Sequence, residues 1–349
     1  MHQENLAVDA VTDRCIVAGF ETEGIAEILE AVFGSANFTK ATVEARIAKI
    51  EGYKATLRHL LTLPVLEQRT PEWHAARQTL ITASDFAQAL GDGKFGTTEQ
   101  LLRKKCGYEE DRFNAAAPAL KWGTMLEPVA NAIYAQRNKM LVHEFGLLRH
   151  PTIPHFGASP DGVNECGIMV EIKCPFRRKI DGTVPLQYFY QIQGQLEVTG
   201  LEECDYFECE FASSDRADDE DIFPGLAAAA TETCAIIEHP PDNYIYSPTH
   251  RDWTPETLAQ WVAENTPAEP QEGQSPTTTF YRLQKASTIR VYKDQQFIDT
   301  KLGLLSNVWD RIMEYRADED LYKREVKAAA SAADLASKPA PKFIGWAFD

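Results

Sequence analysis

The chain has 349 residues, 44% of them hydrophobic, and a net charge of −17. This length can bury a substantial core in one or two domains, and no run of 18 apolar residues offers a membrane span. The opening Met1-His2-Gln3-Glu4 lacks the basic start and apolar stretch of a signal peptide. The seven cysteines contain no C-x-x-C pair, which argues against a zinc ribbon or an iron–sulfur cluster and for thiols in a reducing compartment.

The acidity is local. Residues 201–275 hold 18 acidic and 2 basic residues, net −16, whereas residues 70–200 hold 14 of each. The overall charge therefore does not exclude a nucleic-acid substrate. Within the neutral stretch the bases gather at Arg103-Lys104-Lys105 and Arg177-Arg178-Lys179. Such clusters either contact backbone phosphates or form ordinary solvated faces.

In chain order, residues 22–62 read as two helices. Ile25, Ile28, Leu29 and Val32 form one stripe, ended by Gly34-Ser35. Val43, Ile47, Ile50 and Leu57 form another, from about Thr42 to Leu61. A short helix is expected around Glu72–Arg77. Ile81-Thr82-Ala83-Ser84 then leads into a helix over Asp85–Leu90, capped by Thr82 or Ser84; its free amides would favour an anion. Trp122–Tyr134 reads as a helix with Trp122, Leu126, Val129 and Ile133 on one stripe. Glu127 sits at the edge of that stripe, either as a solvated surface residue or as a carboxylate facing a site.

The stretch with the most chemistry is Ser159-Pro160-Asp161-Gly162 followed by Glu171-Ile172-Lys173-Cys174-Pro175-Phe176. Val170–Lys173 reads as a strand whose side chains alternate, with Val170 and Ile172 on the buried face and Glu171 and Lys173 on the other. Pro160-Asp161-Gly162 marks a tight bend that can return the Asp161 carboxylate beside Glu171. Two carboxylates and an ammonium then share a small space. Hard oxygen ligands of this kind suit Mg²⁺ or Mn²⁺. The lysine can orient or help activate an attacking water, as in metal-assisted phosphodiester hydrolysis.

Downstream, Pro185–Val198 reads as a helix with Phe189, Ile192 and Leu196 on its apolar face and Gln187, Gln191 and Gln195 on another. Gln187 and Gln195 read as surface residues. Residues 201–212 alternate as a core strand. Residues 213–275 read as an acidic insertion containing the run Asp218-Asp219-Glu220-Asp221, the loop Pro240-Pro241 and a short amphipathic helix at Trp253–Val262. This insertion is expected on a face away from the active site. Two strands are expected at Thr279–Leu283 and Thr288–Tyr292, then a helix over Gln295–Tyr315. Ala328–Pro341 reads as a tail, and the apolar Phe343–Phe348 either folds back on the body or serves as a docking peptide.

Four blocks, taken in order, resemble the lambda exonuclease family, also called YqaJ-type viral recombinase nucleases, of the PD-(D/E)xK superfamily. They are Glu72–Arg77 running into Ile81–Ser84, Trp122–Glu127, Ser159–Phe176 and Tyr190–Leu196, and they cover roughly residues 70–212. The resemblance implies an α/β restriction-endonuclease-like core, a mixed central sheet flanked by helices, over residues 70–318. A helical N-terminal extension (1–69) precedes it and a C-terminal tail (319–349) follows. The implied activity is Mg²⁺-dependent DNA exonuclease action, 5′ to 3′ on double-stranded ends, with Mn²⁺ as a substitute. It would leave 3′ single strands for recombination or repair.

By the same resemblance Asp161, Glu171 and the Ile172 carbonyl bind metal, Lys173 positions the water, and Glu127 and Gln191 complete the catalytic set. Arg77, Ser84 and Ser159 would hold the 5′ phosphate or the strand near it. His150–His155 carries no acid where some relatives have one, which leaves second-metal ligands unassigned. The expected partners are DNA ends, a single-strand annealing protein and a homotrimer, inside the cytoplasm or nucleus of a host cell if the chain is viral. The alternatives are an endonuclease of the same superfamily, or a non-catalytic repair protein that docks partners through its acidic segment.

Overall fold

The computed structural model describes residues 2–34, 38–64, 66–94, 96–108, 117–214, 233–239, 243–249, 253–267 and 275–327. The run Asp218–Asp221, the Pro240-Pro241 pair and the C-terminal Ala328–Pro341 and Phe343–Phe348 stretches lie outside the described residues.

The chain opens with three helices, α1 (His2–Val17), α2 (Thr22–Phe33) and α3 (Lys40–Leu60). Periodicity places α2 and α3, but α1 is additional; Val8 and Cys15 carry its buried side. Val32, expected on the apolar stripe of α2, is 59% exposed. Next come α4 (Pro71–Gln78), β1 (Ile81–Thr82), a 3-10 turn at Ala83–Asp85 and α5 (Phe86–Ala89). The helix expected over Asp85–Leu90 is thus a single turn. Its entry is fixed by Asp85, whose Oδ2 accepts from the Thr82 N–H (3.1 Å) and hydroxyl (2.7 Å).

Then follow α6 (Thr98–Cys106), α7 (Pro118–Asn138), β2 (Val142–His143), β3 (Leu148–Arg149), β4 (Phe156–Ala158), β5 (Gly162–Asn164) and β6 (Met169–Lys173). The remainder is α8 (Leu186–Thr199), β7 (Glu203–Ser213), β8 (Thr233–His239), β9 (Asn243–Tyr246), α9 (Pro255–Asn265), β10 (Thr277–Tyr292), α10 (Gln295–Ala317) and α11 (Glu319–Tyr322).

Seven strands form the central sheet in the order β2-β5-β6-β7-β10-β8-β9, and β1-β4-β3 form a smaller one. The central sheet is mixed: β6 and β7 pair in parallel through the crossover helix α8, and its other pairs are antiparallel. This is the expected mixed sheet flanked by helices.

Two departures concern strands. Thr279–Leu283 and Thr288–Tyr292 belong to one strand, β10, which bends at a bulge between Leu283 and Lys285 instead of breaking. Part of the supposed acidic insertion is also sheet. β8 pairs with β10, β9 with β8, and α9 packs Leu258 against Ala235 of β8 together with Trp253.

A smaller part of the acidity of 201–275, four of its 18 acids, lies in β7 and is neutralised there. Arg46 of α3 and Arg290 of β10 meet Glu203 at 2.6 and 2.5 Å, Lys49 reaches it at 2.9 Å and the Tyr53 hydroxyl at 3.0 Å. Arg46 also binds Asp13 of α1 through two nitrogens, each at 2.7 Å. Asp205 takes Arg290 at 2.6 Å and the Tyr134 hydroxyl at 2.6 Å. Burying charges in this way is tolerable because each is paired. The network fastens the N-terminal helices to the central sheet.

These helices also brace the β5–β6 hairpin. Ile50 and Tyr53 share a core with Cys166 and Ile168 at its turn. Gly167 has φ +75°, and a Cβ there would lie 2.5 Å from the Tyr53 carbonyl oxygen, so the turn requires glycine on both counts.

Helices cover both faces of β6. Val170 and Ile172 pack under α7 with Trp122, Leu126, Val129 and Ile133. Met169 faces the α8 side with Ile192, Leu196, Cys204 and Tyr206. Val170 and Ile172 lie on a buried face as expected, and the face that carries Glu171 is covered as well. A parallel β6–α8–β7 unit must lay its crossover helix over one face, and Glu171 beneath it has no exposed surface.

Candidate active site

β5 and β6 pair with Gly162 opposite Val170, so Asp161 stands just past the last pair, beside Glu171. Asp161 Oδ2 accepts the Ile172 N–H at 2.7 Å. In an extended strand a residue's N–H and carbonyl point to the same side, so the Ile172 carbonyl lies along the same edge as Asp161.

Glu171 is held by three donors. Lys173 Nζ and Gln191 Nε2 (2.6 Å) donate to Oε1, and Gln195 Nε2 (2.8 Å) donates to Oε2. Gln195, expected on the surface, is 1% exposed. Its spacing of one helical turn from Gln191 puts both amides on the face of α8 that lies over β6. The Lys173 ammonium lies 5.2 Å from the centre of the Tyr188 ring, also on α8.

Glu127 approaches from α7, half-buried, and its Oε2 pairs with the Arg69 guanidinium at 3.0 Å. The electrostatics follow from crowding carboxylates in a low-dielectric place. Burial pushes Asp161 well above the ordinary carboxylate range, and Glu171 and Glu127 add to this against Lys173. Burial also raises Glu127, against Arg69 and Lys173. Burial works against the Lys173 ammonium, but Glu171 and Asp161 outweigh it and hold the lysine protonated.

Among the described residues no three His, Cys, Asp or Glu side chains close into a metal cage. The donor chemistry nonetheless fits an oxygen-seeking divalent cation. Three carboxylates of the cluster face one internal ammonium and one guanidinium at the rim, and an added dication would offset the burial and, after it, the repulsion that raise Asp161.

The residues expected at the phosphate gather in a second group next to the first. Arg77 of α4 donates to Ser84 Oγ at 3.0 Å and reaches Thr82 Oγ1 at 3.3 Å. Its guanidinium stacks 4.3 Å from the Trp73 ring centre, and the Trp73 indole N–H donates to Ser159 Oγ at 3.1 Å. Trp73 therefore links Arg77 to Ser159, two residues before Asp161. The turn carrying Ser84 is fixed to α8 by core packing of Ala83 and Phe86 with Ile192, and by an edge contact of Phe86 with Tyr190.

The basic clusters divide. Lys105 is buried, bonded to Asp85 at 2.9 Å and to the Arg77 carbonyl at 2.8 Å, so it braces the Arg77 turn and is withdrawn from any phosphate. Arg178 pairs with Glu208 and Lys179 with Glu210, while Arg177 lies over Phe176. Four contributors lay beyond the sequence reading: Gln195, Trp73, Arg69 and the Lys105–Asp85 brace. The i, i+4 spacing from Gln191 was a signal for Gln195. For Arg69, in a polar loop, there was none.

Two viral proteins are similar to this chain. An uncharacterised protein of Acanthamoeba polyphaga mimivirus is 26% identical over 313 residues, covering 76% of this chain and 56% of that protein. A protein of African swine fever virus is 28% identical over 164 residues, 38% of this chain and 46% of its own length. The chain thus spans about half the length of the curated relatives it matches. The crystal structure of an alkaline exonuclease from Laribacter hongkongensis aligns with 77% of this chain and 100% of its own at 22% identity and a TM-score of 0.43. Residues 72–202 match the family model of the YqaJ-like viral recombinase domain, a span that contains all four motif blocks and every side chain of the two groups above except Arg69. Over this segment the chain is similar to the YqaJ-like viral recombinase domain family.

Proposed function

We propose that the chain is a metal-dependent DNA exonuclease that hydrolyses phosphodiester bonds from double-stranded ends, 5′ to 3′. The observation that carries this reading is the convergence of Asp161, Glu171 and Lys173 on the β5–β6 hairpin, with the Arg77–Ser84–Ser159 group alongside. Asp161, Glu171 and the Ile172 carbonyl would hold Mg²⁺ or Mn²⁺, with Glu127 supporting the site. When bound, such an ion neutralises developing charge and lowers the pKa of an attacking water.

The remaining work belongs to the chain's own groups. Lys173, held protonated, orients the water through its ammonium and offsets charge on the phosphate. Gln191 and Gln195 fix the rotamer of Glu171 without adding negative charge. Arg77 presents a planar donor set to a terminal 5′ phosphate, Ser84 and Ser159 add hydroxyl donors, and Trp73 keeps the guanidinium in place. The seven cysteines, all buried thiols outside any disulfide, suit a reducing compartment, and we assign the protein to the interior of a host cell. The proposed partners are DNA ends and a single-strand annealing protein, with a homotrimer as the assembly.

Digestion of linear and circular duplexes, with and without a 5′ phosphate, tests this reading in Mg²⁺ and in EDTA. The expected outcome is Mg²⁺-dependent loss of the 5′ strand from linear DNA, faster with the phosphate, and an intact circle. Cleavage of the circle would make the protein an endonuclease, and equal activity in EDTA would remove the metal from the reaction.

A further inference from the structure

Arg69 stands at the rim of the acidic cluster. One guanidinium nitrogen meets Glu127 Oε2 at 3.0 Å, and the two side chains are 48% and 31% exposed. The contact is a single hydrogen bond, not the two-pronged pairing a guanidinium makes with a well-placed carboxylate or phosphate. A half-exposed pair of this kind holds weakly.

The loop that presents it is closely fastened. The Leu66 carbonyl accepts from the Leu147 N–H at 3.0 Å, and Gly146 leaves no room for a side chain, since a Cβ there would fall 1.7 Å from the Leu66 oxygen. Gln68 Nε2 donates to the Phe145 carbonyl at 2.8 Å and reaches the Pro160 carbonyl, next to Asp161, at 3.4 Å. On the far side Thr70 caps α4, the helix of Trp73 and Arg77. Arg69 therefore sits between the carboxylates and the phosphate group of residues. Its φ is +69°, in the left-handed region. The other described non-glycine residue with a positive φ, Lys139, ends helix α7, a common place for that conformation. A glycine would be at ease at position 69, yet the chain carries its longest cationic side chain there.

We propose that Arg69 is a cationic placeholder on Glu127, displaced when a divalent cation enters the Asp161–Glu171–Glu127 cluster and then free to bind a backbone phosphate of the entering strand. The inference rests on the nuclease reading for its substrate and on geometry for its first half. In the metal-free protein the guanidinium offsets the charge of Glu127. An entering dication competes for the same oxygen and outweighs a single exposed hydrogen bond. The released guanidinium stays on a fixed loop facing solvent, where phosphate offers it two acceptor oxygens.

The test uses the full chain with Arg69→Gly, which removes the cation and suits the backbone, and Arg69→Ala, which removes the cation and keeps the unfavourable φ. Mn²⁺ affinity is measured by calorimetry on metal-free protein without DNA. Affinity for a linear duplex is then measured in Mn²⁺ with Lys173→Met in all variants to stop cleavage. Both Arg69 variants should bind Mn²⁺ more tightly, by about three- to tenfold, the range of one weak ion pair. Both should bind DNA about five- to tenfold more weakly, with the slope of log Kd against log salt reduced by about one. Unchanged or weaker Mn²⁺ binding in both variants would overturn the placeholder, as would a change in the glycine variant alone. Unchanged DNA affinity and salt slope would overturn the phosphate contact. Wild-type protein that binds Mn²⁺ but leaves every DNA intact would defeat the nuclease reading instead, and the Mn²⁺ comparison would still decide the first half.

Discussion

Replacing Gln195 with leucine separates the hold on Glu171 into its parts. Glu171 has no exposed surface, and its two oxygens are served unequally. Oε1 takes both Lys173 and Gln191, whereas Gln195 is the donor to Oε2 among the described residues. Leucine keeps the volume of the side chain and removes the amide. The loss is one hydrogen bond to a charged group, about 2–3 kcal/mol. Part returns, because Gln195 Oε1 is itself buried with no partner among the described residues, and deleting it relieves about 1 kcal/mol. The net is about 1–2 kcal/mol of stability in the metal-free protein, or a few degrees in Tm. Gln191→Leu should cost less, about 0.5 kcal/mol, because Lys173 remains on Oε1 and the half-buried site admits water. Cleavage should fall in both variants by about ten- to a hundredfold, as a loosened metal carboxylate moves by a fraction of an ångström. Urea unfolding in EDTA, followed by a cleavage assay in Mg²⁺, gives both numbers. If Gln195→Leu is as stable as wild type, or more stable than Gln191→Leu, the clamp on Oε2 is not what holds Glu171.

Two further outcomes concern the ionic network under the N-terminal helices. Arg46→Met leaves Asp13 and Glu203 short of a partner and should cost about 3 kcal/mol, the low end for breaking a buried pair because Arg290 and Lys49 stay on Glu203; hydrogen exchange should rise first in α1–α3. Acid should weaken the same joint. Burial pushes Glu203 up, but hydrogen bonding from Arg46 and the charges of Arg290 and Arg46 outweigh it and bring its pKa down to about 2. A depressed carboxylate stabilises the fold above its unfolded value, near 4.5, and loses that contribution as pH falls toward 2. Asp13, raised by burial, works in the opposite sense. Glu203 carries more donors, so stability should fall on acidification through this window, and less so in a Glu203→Gln variant; an equal fall in both would exclude Glu203 as the cause.

The parts of the fold that periodicity governs were legible in the sequence. Trp122, Leu126, Val129 and Ile133 marked the buried stripe of α7, Phe189, Ile192 and Leu196 that of α8, and the turn at Pro160-Asp161-Gly162 does bring Asp161 beside Glu171. What was not legible depended on long-range partners. The acids of β7 lie in a stretch already read as a core strand, but their neutralisation was hidden because Arg46 and Arg290 lie about 160 and 90 residues away in sequence. β8 and β9 were hidden in the acidic stretch, since strand pairing with β10 cannot be read from composition. Gln195 looked like a surface amide because its burial requires knowing that α8 covers β6. Lys105, which composition leaves between a phosphate contact and a solvated face, is neither, because it is buried against Asp85. Arg69 had no signal at all, because a left-handed φ in a polar loop leaves no mark in the sequence.

The central claim is that Asp161 and Glu171 hold a metal against which Lys173 positions water. The most direct measurement is the rate of linear-duplex digestion across a Mg²⁺ titration for wild type, Asp161→Ala, Glu171→Ala and Lys173→Ala, with circular dichroism to verify folding. The account predicts Mg²⁺-dependent digestion by wild type and none by either carboxylate variant. For Lys173→Ala it predicts a rate lower by about a hundredfold or more, with DNA affinity retained. Full activity in either carboxylate variant, or a Lys173→Ala protein that loses only DNA affinity at unchanged turnover, would contradict it.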